Sequence, residues 1–154
     1  MVDSAAGPGR GSATVKETEA RTRALVDRML REASAAGRYA ARGKSAFFDL
    51  RTPEIRDAAE LRILHFTETA TKLGRPFRNA NPLLPWDALE RLRNDLVHEY
   101  PEVKAERLWR FLTDDLSTLV VKLRRARFPA ESQWIRKRTE LSTHRVPSRA
   151  PRRD

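Results

Sequence analysis

Apolar residues recur three and four apart along most of the chain, and the recurrence breaks at a few Gly and Pro positions. Leu25, Met29, Ala33, Ala36 and Ala40 lie on one stripe, which predicts a first long amphipathic helix. It should end near Arg42-Gly43, where glycine can take the left-handed C-cap conformation, with Phe47-Phe48 packing the turn. A second helix is expected from Thr52 as N-cap and Pro53 at the first helical position, carrying the stripe Ile55, Ala59, Ile63, Phe66, Ala70 and Leu73 up to Gly74. Residues 75–85, with three prolines and two asparagines, predict an irregular connection. A third helix opens at Pro85-Trp86 with Trp86, Leu89, Leu92 and Leu96 on one face. It should stop by Tyr100, because the residue before Pro101 is pushed out of the helical region. A fourth runs from about Val103 through Leu108, Phe111, Leu112, Leu116, Leu119 and Leu123. The pattern predicts an all-α protein, an antiparallel four-helix bundle. No strand alternation, internal repeat or Gly-rich phosphate loop is present, which argues against kinase and Rossmann readings.

The ends change the picture of domain organisation. Residues 1–17 are mostly small and polar and predict a disordered leader, residues 18–128 the helical domain, and residues 129–154 a basic, disordered tail. That tail holds seven basic and three acidic residues, which suits either phosphate contacts or a merely solvated end. Without the leader and tail, residues 18–128 still hold 22 basic against 16 acidic residues. The whole chain of 154 residues carries a net charge of +10, and such a field attracts polyanions: RNA, DNA or an acidic partner. Cysteine is absent, which excludes thiolate metal sites, disulfides and cysteine nucleophiles and suits a reducing cytosol. No basic flank and apolar run opens the chain, and no stretch approaches the ~20 apolar residues of a membrane span, so a soluble, cytoplasmic, unexported protein is expected, with no membrane partner.

Candidate chemistry narrows to one window. The three histidines, His65, His98 and His144, are not arranged with carboxylates at metal-ligand spacing, so neither a metal nor another cofactor is expected. His65 borders the stripe of the second helix and His144 sits in the tail. His98 instead falls at the end of the third helix beside Arg93, Asn94, Asp95 and Glu99. Asn94 and His98 are four apart and share a face. Arg93 and His98 are five apart, hence about 140° out of phase and about 7.5 Å apart along an ideal helix axis. Three arrangements would let them act together: Arg93 reaches around, the helix unwinds before His98, or a second chain completes the groove. Brought together, they suffice for metal-free RNA cleavage. A histidine exchanges protons near neutral pH, at the ribose 2′-hydroxyl or at the leaving oxygen, while the arginine holds phosphate and stabilises charge developing on phosphorus. The plain alternative is surface ion pairing by Arg93, Asp95 and Glu99, with His98 at a helix C-terminus where a cation is favoured.

The window Arg93-Asn94-Asp95-Leu96-Val97-His98-Glu99-Tyr100 resembles the signature of HepT-like toxins of the HEPN superfamily: Arg, four to six residues, then His, with Asn after the Arg and Tyr two after the His. The likeness extends over roughly residues 22–125. It takes in Lys44-Ser45 before Phe47-Phe48, Glu68 and Ala70 in the second helix, Pro85-Trp86 opening the third and Trp109 in the fourth. Two departures stand out: the family's usual Ile-Gly-Glu-Ala appears as Phe66-Thr67-Glu68-Thr69, and Pro101 follows Tyr100 where an aromatic and glycine are common. The resemblance implies a HEPN four-helix fold, a homodimer whose Arg93 and His98 face a shared cleft, and metal-independent endoribonuclease activity on RNA. It implies a supporting role for Asn94, while Glu68 is either a polar contact near the cleft or simply a solvated helix residue. It further implies the toxin half of a type II or type VII toxin–antitoxin pair, whose cognate minimal nucleotidyltransferase antitoxin transfers AMP to Tyr100. The competing expectation is a non-catalytic helical module that binds nucleic acid or a nucleotidyltransferase through its charge. A DNA-binding regulator is disfavoured, because no short-turn helix pair has a basic second helix. Trp86 and Trp109, on amphipathic stripes, suit core or dimer positions better than base-stacking platforms.

Overall fold

The computed structural model describes residues 10–129, with side chains from residue 16 onward. The helices are α1 (Arg10–Ala40), α2 (Lys44–Phe48), α3 (Glu54–Thr71), α4 (Arg75–Ala80), α5 (Trp86–His98), α6 (Pro101–Arg110) and α7 (Leu116–Arg124), with a π-helical turn, Phe111–Asp115, joining the last two. No strand occurs among the described residues. The long helices close a ring: α1 packs on α3 and on the π turn and α7, while α5 packs on α3 and α6. This is the all-α bundle that the four stripes predict. The expected basic tail, residues 129–154, lies outside the described residues from 130 onward, as do residues 1–9 of the expected leader. Residues 10–17 belong to α1.

The stripes meet in one core. Met29, Ala36, Ala59, Ile63, Phe66 and Leu108 have no exposed surface, and complete burial of such side chains is worth about 1.5–3 kcal/mol each for the larger ones. Phe47 of the short α2 seals one end, its ring 5.1 Å from Phe48 and 5.0 Å from Trp109. Trp86 seals another, 6.1 Å from Phe77, with its indole Nε1 donating to the Asn81 carbonyl. Both tryptophans are thus packed into the edge of the core and serve no visible stacking platform. Thr67 and Thr69 are buried, and their hydroxyls donate back to the carbonyls of Ile63, Leu64 and His65 within α3. Neither threonine therefore buries an unpaired hydroxyl.

Four local expectations differ from the structure. Gly43 does take a positive φ of 95°, but its ψ of 161° lies outside the left-handed helical region. The backbone must extend there to start α2 at the next residue, in a conformation open essentially to glycine alone. No hydrogen bond from the Thr52 hydroxyl forms among the described residues, and α3 begins at Glu54 behind Pro53. Residues 75–80 of the expected irregular connection form α4, with Pro76 placed in its first turn, where a missing N–H costs nothing. The fourth helix starts at Pro101, earlier than expected, for the same reason, and it widens into the π turn before continuing as α7.

Candidate active site

Helix α5 delivers the signature residues to the end of the bundle. Leu89, Leu92 and Leu96 anchor it in the core, which turns Arg93 toward α3 and leaves Asn94 and His98 on the exposed side. The helix is regular through His98, and the Glu99 N–H still donates to the Asp95 carbonyl at 2.9 Å. Only then does the chain extend, at Glu99 (ψ 159°) and at Tyr100 (ψ 149°), the latter forced by Pro101. The helix therefore does not unwind before His98. Arg93 and His98 stay about 140° out of phase, as on an ideal helix.

Arg93 is half-buried. Its Nη2 lies 3.9 Å from Glu68 Oε1 of α3, and its Nη1 donates to Asn94 Oδ1 at 3.4 Å. With side-chain exposures of 37% and 43%, the Arg93–Glu68 pair is the screened kind worth at most about 1 kcal/mol. It aims the guanidinium without locking it, and a phosphate offering a two-pronged contact would displace it readily. Arg93, Asn94 and Glu68 are thus brought together. No hydrogen bond or ion pair among the described residues joins His98 or Tyr100 to them, and both of those side chains are exposed, Tyr100 at 78%.

Two ion pairs that sequence spacing could not reveal brace this corner. Arg107 of α6 pairs with Asp95 of α5. Lys104 of α6 pairs with Glu60 of α3 at 2.9 Å, with both side chains about three-quarters buried. Together they hold α6 against α5 and α3 on either side of the His98–Tyr100 corner. The partners are separated by many residues along the chain, so no local pattern marks them. His65 sits at the edge of the core with its Nδ1 3.9 Å from Glu32 Oε1, in a cluster that includes Arg62. Among the described residues no group of three or more His, Asp or Glu side chains is placed to hold a metal ion, and no helix is long and apolar enough to cross a membrane. His144 lies outside the described residues.

A family model described as Ribonuclease HepT-like matches residues 29–126. A curated protein of Thermococcus cleftensis named Probable ribonuclease HepT is 30% identical over 70 residues, 45% of this chain and 64% of that protein. The chain thus spans a little under two thirds of that relative's length. No solved structure matches it.

Proposed function

The chain belongs to the HepT-like ribonuclease family, and from that membership together with the geometry at the end of α5 we infer that it is a metal-independent endoribonuclease, with Arg93 and His98 acting in a cleft shared by two copies of the chain. The observation that carries this reading is the weakly held guanidinium of Arg93 on the same helix end as an exposed, unengaged His98 ring. In the reaction, the 2′-oxygen of a ribose attacks the adjacent phosphorus. His98 exchanges the proton, at the 2′-hydroxyl or at the leaving oxygen. The bond from phosphorus to the 5′-oxygen breaks as the new one forms, leaving a cyclic phosphate end, and Arg93 stabilises the extra charge on the phosphoryl oxygens. Glu68 and Asn94 serve to position Arg93.

Two features support the homodimer. The phase difference keeps Arg93 and His98 of one chain from converging, so a groove completed by a second copy satisfies the chemistry better than one chain does. Leu61 (50% exposed), Val97 (48%), Val103 (43%) and Tyr100 (78%) also form apolar surface on α3 and around the α5–α6 corner, and Leu61 and Pro101 line one shallow pocket. Exposed apolar patches of this kind mark association surfaces. Within the same reading the chain is the toxin of a toxin–antitoxin pair, and a minimal nucleotidyltransferase antitoxin is its partner. Tyr100 is the acceptor of AMP: its exposed hydroxyl is open to a modifying enzyme, and a bulky anion two residues from His98 would compete with RNA for Arg93.

The test is cleavage of RNA by the purified full chain in EDTA. His98→Ala and Arg93→Ala should each lower the rate by about 100-fold or more, the usual size of a lost general acid–base group for His98 and of a lost charge-stabilising donor for Arg93. If either variant cuts as fast as the parent, the assignment fails. Salt-sensitive RNA binding without cleavage, indifferent to Arg93→Ala, would instead establish the non-catalytic module.

A further inference from the structure

Helix α1 carries charge that neither the core nor the proposed cleft uses. Arg21, Arg28, Arg31 and Arg38 are all exposed, and at 100° per residue they fall within about 100° of arc on its outer face. Seventeen residues separate the first from the last, so the ridge is about 26 Å long. None of the four forms an ion pair among the described residues; Arg38 only donates to Ser34 Oγ at 3.5 Å. Two of the acids on α1 are engaged elsewhere: Glu19 with Arg23 at 2.7 Å, and Glu32 with Arg62 at 3.2 Å. Glu17 and Asp27 each stand four residues ahead of a ridge arginine, yet neither pairs with it. Arg28 and Arg31, three apart, repel one another at some cost to the helix. With Glu17 inside this arc and Asp27 at its edge, the four arginines still outnumber the acids there by two to one.

The ridge also has a definite relation to the candidate site. Glu32, next to Arg31, meets Arg62 and His65 of α3, and three residues further along α3 Glu68 meets Arg93. The middle of the ridge therefore lies level with Arg93, separated from it by the exposed face of α3. Arginine suits phosphate because its planar fork grips two oxygens.

We propose that the outer face of α1, through Arg21, Arg28, Arg31 and Arg38, is a track for the phosphate backbone of single-stranded RNA extending away from the cleft, so that affinity grows with the length of the RNA. The inference rests on the RNA reading above. Four separated cations give affinity without sequence preference, while the choice of bond to cut stays with Arg93 and His98.

The experiment uses the full chain carrying His98→Ala, so that RNA is bound without being consumed. Fluorescence anisotropy is read on labelled oligouridines of about 30 and about 3 nucleotides over a salt series. Each of Arg28→Gln, Arg31→Gln and Arg38→Gln should lower the salt slope for the long strand by about 0.7, and the triple variant by about two, with more than tenfold weaker binding. The short strand, which cannot occupy cleft and ridge together, should lose less than about threefold. Glutamine keeps good helix propensity, and the single variants decide the matter even if the triple variant loses helix content. An unchanged slope, or equal losses for the two strands, overturns the track. Absence of cleavage by the unaltered chain would overturn the catalytic reading alone, because the slopes are measured without catalysis.

Discussion

Asn81 ties the end of the bundle to α4, and removing it gives a sharp test of how the fold is closed. Its side chain is buried. The amide Nδ2 donates to the carbonyls of Phe77 and Arg127, each at 2.8 Å, and Oδ1 accepts from the Arg127 N–H at 2.7 Å. Two of these bonds cross 46 residues of sequence. Together they hold Phe128 in place, its ring 5.3 Å from Phe77 and 4.0 Å beneath the Arg23 guanidinium. Asn81→Ala leaves one N–H and two carbonyls without these partners in a half-buried setting. At about 1 kcal/mol for each group, the low end for an unsatisfied buried polar group, the loss is about 3 kcal/mol. For a domain of this size, that lowers Tm by about 12 °C. Urea unfolding followed by circular dichroism should show the midpoint falling with m unchanged. Asn81→Asp conserves the acceptor but sets a carboxylate against two carbonyls, so it should cost at least as much as alanine. A loss below about 0.5 kcal/mol for either variant would refute the idea that this clamp closes the bundle.

Phe47→Ala should cost about 3–5 kcal/mol, because the ring is 1% exposed and packed against Phe48 and Trp109; urea unfolding checks the size, and near-ultraviolet dichroism should report loosened packing around Trp109. Asp49 is held below the usual carboxylate range by the Arg51 guanidinium, and next by the Arg51 backbone N–H. A depressed carboxyl favours the folded state above its unfolded pKa, and that contribution is lost as pH falls through the folded value. A carboxyl-detected NMR titration should therefore find Asp49 titrating low, and Arg51→Ala should move it back up.

Much of this protein is legible one helix at a time. The stripe from Ile55 to Leu73 marks α3 because a helix repeats every 3.6 residues, and burying the apolar face of such a segment needs no knowledge of its neighbours. Pro101 similarly fixes where α5 must stop, since the steric clash acts on the adjacent residue. The resemblance carried by Arg93, Asn94, His98 and Tyr100 was equally present in the linear order, and the family match agrees with it. What spacing left open was whether Arg93 and His98 meet. The tertiary structure decided part of that: the helix continues through His98, and Glu68 of α3 draws Arg93 sideways.

The amino-acid sequence by itself determined the long helices, their buried faces, the excess of positive charge and the identity of the signature residues, because each depends on contacts within a few residues, whereas it left α4 and the first turns of α1 unread. Only the tertiary structure decided that Glu68 faces Arg93, that Arg107 braces Asp95, that Asn81 reaches Arg127, and that the last long helix opens into a π turn. Those pairings depend on the rotation and height at which one helix packs on another. These are set by the sum of many side-chain volumes in the core, so no local period encodes them.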